Sequence, residues 1–175
     1  MQNSKLIVET PTLKRRLICL VYEAFLVTAV VMLGLFIFLF IGQKLSADAR
    51  HIGSQAVLFL VAGAYFIWCW TDSGHTLAMK TWRIKLVKVG YAKVPLRAAA
   101  IRYILSWGWL LPAVVVCYAL GLKGKAEVSA TLALGILAWG STVFLDKDRQ
   151  FLHDKLAGTR LISLPKPLQA VRKPA

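Results

Sequence analysis

Residues 17–41 form an unbroken apolar run of 25 residues that carries a single charge, Glu23. A chain containing such a run is confined to a short list of folds. As a helix it rises about 37 Å at roughly 1.5 Å per residue, enough to cross a hydrocarbon core of about 30 Å with some tilt. The apolar part of a secretory signal is only about 7–15 residues long. Ala47-Asp48-Ala49 matches a cleavage pattern, but further apolar runs follow, so the segment is expected to persist as a first span. Three cations, Lys14, Arg15 and Arg16, stand directly before it. Glu23 lies about 9 Å along the helix from Leu17, inside the apolar slab. A carboxylate is costly there unless protonated, wetted or paired, which makes Glu23 a functional candidate.

Three more apolar runs follow, at about residues 52–70, 98–122 and 128–145. With 58% hydrophobic residues, the chain is predicted to be an all-α transmembrane protein, a four-helix membrane bundle. Residues 1–13 and 165–175 are expected to be disordered tails around a membrane domain at 14–164. Pro112 falls inside the third span, where neighbouring helices would have to satisfy the freed backbone. A net charge of +14 is compatible with nucleic-acid binding, but the cations cluster at span ends. Seventeen of the 22 lie before span one, in residues 71–97 or after span four. That asymmetry places both termini and the central loop in the cytoplasm, against anionic lipid headgroups, and no nucleic-acid partner is expected. Cys19, Cys69 and Cys117 all fall in apolar spans and are odd in number, which points to packing rather than to disulfides or a metal.

Two of the cytoplasmic segments carry patterns of their own. Trp82, Ile84 and Leu86 alternate with Arg83 and Lys85, a two-residue period that predicts a short strand over 82–87. Residues 158–164, GTRLISL, read the same way, and both stretches equally fit amphipathic segments lying on the membrane surface. The two strands are expected to pair, because each is the other's one evident partner for its backbone groups. HTLAMK and RQFLHDK, just before them, read as single helical turns. Each half of the chain thus runs from a basic flank through two spans to an aspartate and a helix–strand piece. Glu23 and Arg102 are 79 residues apart, and Asp72 and Asp148 are 76 apart. These offsets suggest a parallel internal duplication.

The pattern Arg16-x6-Glu23, GHTLAMKTWRIKLV (74–87) and RQFLHDKLAGTRLI (149–162) together resemble the RDD family of bacterial membrane proteins. The family is named for an arginine and two aspartates. By this resemblance the arginine is Arg16, with Arg15 as a neighbouring candidate, the first acid is Glu23, and the second is Asp154. Glutamate replaces aspartate at the first position. The resemblance implies a protein of the cytoplasmic (inner) membrane for which transport has been suggested.

The site expected on these grounds holds Arg16, Glu23, Arg102 and Asp154, with Asp72, His75, Asp146, Asp148 and His153 as secondary candidates. Each also has a plainer reading. Lys14 and Arg15 would be topological anchors, Asp154 a local turn cap, and the histidines capping or interfacial residues. Neither histidine has the ligand spacing of a metal site. No cofactor is expected. No nucleophile elbow, phosphate loop or dinucleotide fingerprint occurs, so an enzyme is not expected. Glu23 and Arg102, charges at similar depth in spans one and three, are expected to face and pair with each other. Two functions fit. One is a small proton-coupled monovalent-cation transporter, with Glu23 titrating, that works as a homo-oligomer or with a partner membrane protein. The other is a non-catalytic accessory protein that binds a partner through its basic cytoplasmic face. The topology has a direct test: a reporter active only outside the cytoplasm, fused after Ala175, should be inactive, and activity would reject this orientation.

Overall fold

The computed structural model describes residues 9–165 except Leu145 and Asp148. Residues 1–8 and 166–175, most of the two expected tails, therefore lie outside the described residues. So do Asp148 and the end of the expected fourth span. Helix α1 is Leu13–Ile41. It starts ahead of the apolar run because Thr12 caps it, accepting from Arg15 N–H at 3.4 Å on its hydroxyl and from Arg16 N–H at 3.1 Å on its carbonyl. Lys14, Arg15 and Arg16 thus belong to the helix rather than to a flank. After a 3₁₀ turn at Gly42–Lys44, α2 (Ala47–Asp72) also starts early. Ser46 caps it, accepting from Ala49 N–H at 3.2 Å, and Asp48 in the first turn complements the helix dipole.

The third expected span is not one helix. It divides into α4 (Leu96–Ser106), a 3₁₀ turn (Trp107–Trp109) and α5 (Leu111–Ala119), with a 43° bend between the two parts. Pro112 is at the start of α5 and has no N–H to give to the Gly108 carbonyl, so the helix ladder fails there. Helix α6 is Lys125–Ser141, extended by a 3₁₀ turn at Thr142–Phe144. The helices α1, α2 and α6 are each long and apolar enough to cross a membrane, and the bent α4–α5 pair makes a fourth candidate. Phe25, Leu33, Phe36 and Phe40 on α1 are exposed. Such a surface suits hydrocarbon, where an outward-facing apolar side chain carries no penalty. Helix α1 packs on α2, α2 on α4, and α5 on α6. Tyr103 of α4 seals the α2 contact by giving its hydroxyl to the Phe59 carbonyl at 2.6 Å.

The tightest packing is at one end of the helices, the end the basic residues assign to the cytoplasm. There α2 leads into a five-residue helix, α3 (Leu77–Thr81), and strand β1 (Ile84–Val87). The α6 segment leads likewise into α7 (Leu152–Leu156) and β2 (Arg160–Ser163). The strands pair antiparallel, Ile84 opposite Ser163 and Val87 opposite Arg160, as the alternation in the sequence predicts. Ile84, Leu86, Thr76, Asp154 and Pro11 are the largest side chains almost wholly removed from solvent, and all belong to this end. Residues 9–12, assigned to a tail by the sequence, are part of it. Glu9 accepts Ser163 N–H at 2.8 Å on its carbonyl, and Pro11 is buried against the core.

Arg15 serves this end as well, and its role departs from that of a topological anchor. Its guanidinium donates to the Trp82 carbonyl, to the Arg83 carbonyl at 3.3 Å and to Ser163 Oγ at 2.8 Å. One side chain therefore ties α1 to both strands. Gly74 makes the turn into α3: at φ +77° its carbonyl accepts Leu86 N–H at 2.7 Å. A Cβ added there would lie 2.7 Å from the Leu86 carbonyl oxygen, whereas one added at Gly90 (φ +83°) would meet nothing within 4 Å. Both substitutions by alanine carry the left-handed penalty of about 1–2 kcal/mol, but only Gly74→Ala adds a backbone clash of roughly 1–3 kcal/mol. Thermal unfolding of the detergent-solubilised protein should show Gly74→Ala clearly less stable than Gly90→Ala. Equal losses would mean that the strand end can shift to admit a methyl group.

Candidate functional site

Two ionisable side chains enter the helical region from first spans, and each is tied to the short helix of its own half. In the first half, Glu23 on α1 accepts the Thr76 hydroxyl on Oε2 and the Tyr65 phenol on Oε1 at 2.9 Å. Thr76 is also the cap of α3, accepting Met79 N–H at 3.2 Å. A single hydroxyl thus starts the short helix and holds the carboxylate. In the second half, Arg102 on α4 gives Nε–H to Asp154 Oδ1 on α7 at 2.7 Å. The two linked residues are 53 apart in the first half and 52 apart in the second. Among the described residues no ion pair joins Glu23 to Arg102, so the pairing expected from their similar depths is corrected. Each charge is satisfied by the surface helix that follows its own two spans, which lies at the same end as the first turns of α1 and α4.

Asp154 is wholly buried, and its role is not the local cap that its sequence context suggests. Its carbonyl, not its carboxylate, closes the turn, accepting Thr159 N–H at 2.9 Å and the Thr159 hydroxyl at 3.2 Å. Oδ1 faces Arg102, while Oδ2 has no hydrogen-bond partner among the described residues. The Arg102 guanidinium also lies over the Trp70 ring, 4.1 Å from its centroid, which shields it without hydrogen bonds. His153 Nε2 is 3.6 Å from Asp154 Oδ1, too far for a hydrogen bond. Burial pushes the His153 pKa down to about 4, so the imidazole is neutral near pH 7 and stacks on Phe151. Burial likewise lowers the His75 pKa, with Lys85 adding to the effect.

Arg16 is buried as well, with its Nε–H on the Pro11 carbonyl at 2.9 Å and its guanidinium 5.3 Å from the Phe151 ring centroid. It forms no ion pair with Glu23 or Asp154. Arg16, Glu23, Arg102 and His153 nevertheless line one cavity of about 510 Å³, walled by apolar side chains from α1, α2, the α4–α5 break and α6. Asp154, Asp72, His75 and Asp146 are not among the residues that line it. Asp72 has an exposed contact with Lys93 at 3.8 Å, which contributes little. Asp146 clamps its own turn, taking Lys155 Nζ at 2.9 Å and Gln150 N–H at 3.0 Å. Among the described residues no group of three or more His, Cys, Asp or Glu side chains is placed to hold a metal ion.

The sequence model of the RDD family matches residues 10–158. The chain belongs to the RDD family. No curated protein and no solved structure matches it. The match runs from the chain entering α1 to the turn after α7, so both polar ties of this RDD-family chain fall within it. Of the arginine and two acids that the family resemblance assigns, Glu23 and Asp154 anchor the two ties and Arg16 lies beside them.

Sequence reasoning did not find Tyr65, Thr76 or Trp70. A hydroxyl among apolar neighbours carries no signal until the turn that brings it to a carboxylate is known. The tie in the second half can be separated from the pairing it replaces. Arg102→Leu strands the buried Asp154 carboxylate and should destabilise the protein by about 3–5 kcal/mol. Adding Asp154→Leu should recover part of that loss, while adding Glu23→Leu should recover none. Recovery by Glu23→Leu alone would restore the Glu23–Arg102 pair.

Proposed function

We propose that this RDD-family chain is an integral protein of the bacterial cytoplasmic membrane, with both termini inside, that exchanges protons for a monovalent cation at Glu23. The reading rests on one observation: Glu23 is held by two hydroxyls and has no cation within ion-pair distance among the described residues. A carboxyl group bound this way can take up or release a proton without breaking a salt bridge. When it is ionised, its oxygens and those of Tyr65 and Thr76 form a small set of hard ligands suited to a bare or half-hydrated alkali cation. The cavity beside it supplies room for water. Arg102 is in contact with Asp154 rather than with the Glu23 carboxylate. Four helices enclose too little for alternating access alone, so the working unit is a homo-oligomer or a complex with another membrane protein.

In the other reading the polar ties only lock the helices, and the basic end, with Lys80, Lys85 and Lys88, binds a partner protein. Proteoliposomes separate the two. With the purified protein, an imposed Na⁺ or K⁺ gradient should drive proton movement, and Glu23→Gln should slow it by about tenfold or more. Tyr65→Phe, which keeps the ring and removes one ligand, should give a smaller loss. The absence of wild-type flux for Na⁺, K⁺ and H⁺ would reject transport in favour of the accessory role.

A further inference from the structure

A second, smaller pocket of about 320 Å³ lies where α1 begins and the α6 segment ends. Its wall includes Arg16, Lys147 and Arg149, together with Thr12, Val143 and Phe144, and among the described residues that line it there is no acid. The electrostatics are lopsided for an apolar protein. Helix α1 opens with Lys14, Arg15 and Arg16 and has no acidic residue in its first turn, so cations crowd the positive end of a 29-residue helix dipole. Asp154 attracts the Arg16 guanidinium without reaching ion-pair contact, and Arg149 repels it more weakly. Arg15 is absorbed by the strand carbonyls, but Arg16 is not: its side chain is 3% exposed, and Nη1 is buried with no hydrogen-bond partner among the described residues. Arg149 reaches the pocket from a left-handed backbone, φ +52°, which is unusual for a residue with a side chain. Neither Lys147 nor Arg149 is in an ion pair among the described residues. A buried donor without an acceptor, two further cations and a helix N-terminus around one pocket are the elements of an anion site.

We propose that this pocket binds the phosphate of an anionic glycerophospholipid. A phosphate oxygen accepts from Arg16 Nη1, and Lys147 and Arg149 close over the outer side. The lipid source follows from position. The pocket sits at the shared end of two membrane-crossing helices, and Phe144 beside it is 72% exposed, an apolar surface on which an acyl chain can continue into the bilayer. A soluble phosphate would have no use for that surface. The site does not depend on the transport reading, since it uses neither Glu23 nor the cation ligands.

The test uses the whole chain, purified in a neutral detergent, with phosphatidylglycerol, phosphatidylcholine or inorganic phosphate added, and reads retained lipid by native mass spectrometry and thermal stability in parallel. Lys147→Gln/Arg149→Gln changes only exposed side chains and should leave the fold intact. It should lower phosphatidylglycerol retention by about tenfold and leave phosphatidylcholine unchanged. Lys123→Gln/Lys125→Gln, which removes the same charge at the opposite end of the helices, should change neither. Equal loss in both double variants would reduce the effect to net charge and overturn the site. Stabilisation by inorganic phosphate and not by phosphatidylglycerol would overturn the lipid assignment. Unchanged retention in Lys147→Gln/Arg149→Gln would overturn the proposal outright.

Discussion

The architecture turns on how ionisable groups near the start of membrane-crossing helices are satisfied. Arg102 would be costly facing hydrocarbon, and Asp154, fully removed from solvent, would be costly anywhere without a counter-charge. Their contact at 2.7 Å resolves both, and it does so by pulling a five-residue surface helix against a span. Glu23 and Thr76 do the same in the other half with a hydroxyl in place of an acid. The β1–β2 ladder then joins the two surface helices, and Arg15 pins that ladder back to α1. The polar end is therefore a single cross-braced unit, while the helices above it are apolar and largely turned outward.

The two ties differ in their chemistry. In the second half a buried guanidinium and a buried carboxylate are in direct contact, and Trp70 covers the guanidinium face. In the first half Glu23 is held by a phenol and a threonine hydroxyl, with no ion pair among the described residues. The two halves share element order and nearly the same spacing from span to surface helix, yet one tie is an ion pair and the other joins a carboxylate to two hydroxyls. The bend stands beside the cavity, which Trp109 and Leu110 at the break line together with Glu23 and Arg102.

Much of this was legible in the residues. The apolar runs, the two-residue alternation in the loop after α2 and in the segment after α7, and the single charges in spans one and three pointed to the long helices, the strands and one member of each polar tie. Those signals are local in sequence and follow from the solvent each segment must face. What they did not carry was the choice of partner. Similar depth made Glu23 and Arg102 look complementary, but depth along a helix says nothing about which side chain from another element arrives at that depth. Asp154 looked like a turn residue because its neighbours form a turn, while the carboxylate itself points away from it.

The sequence by itself determined that this chain has membrane-crossing helices, that its charge gathers at their ends, that two short strands would meet, and that its motifs are those of the RDD family. Hydrophobic length, charge excess and side-chain period suffice for each, because each reflects solvent or local backbone pairing. Only the tertiary structure decided that Glu23 meets hydroxyls and Arg102 meets Asp154, that Arg15 braces the strands, and that Arg16 is buried with a donor unused. These outcomes depend on the geometry of α3, α7 and the paired strands. Contacts between residues more than 50 positions apart are set by packing in three dimensions, for which the linear order holds no comparable signal.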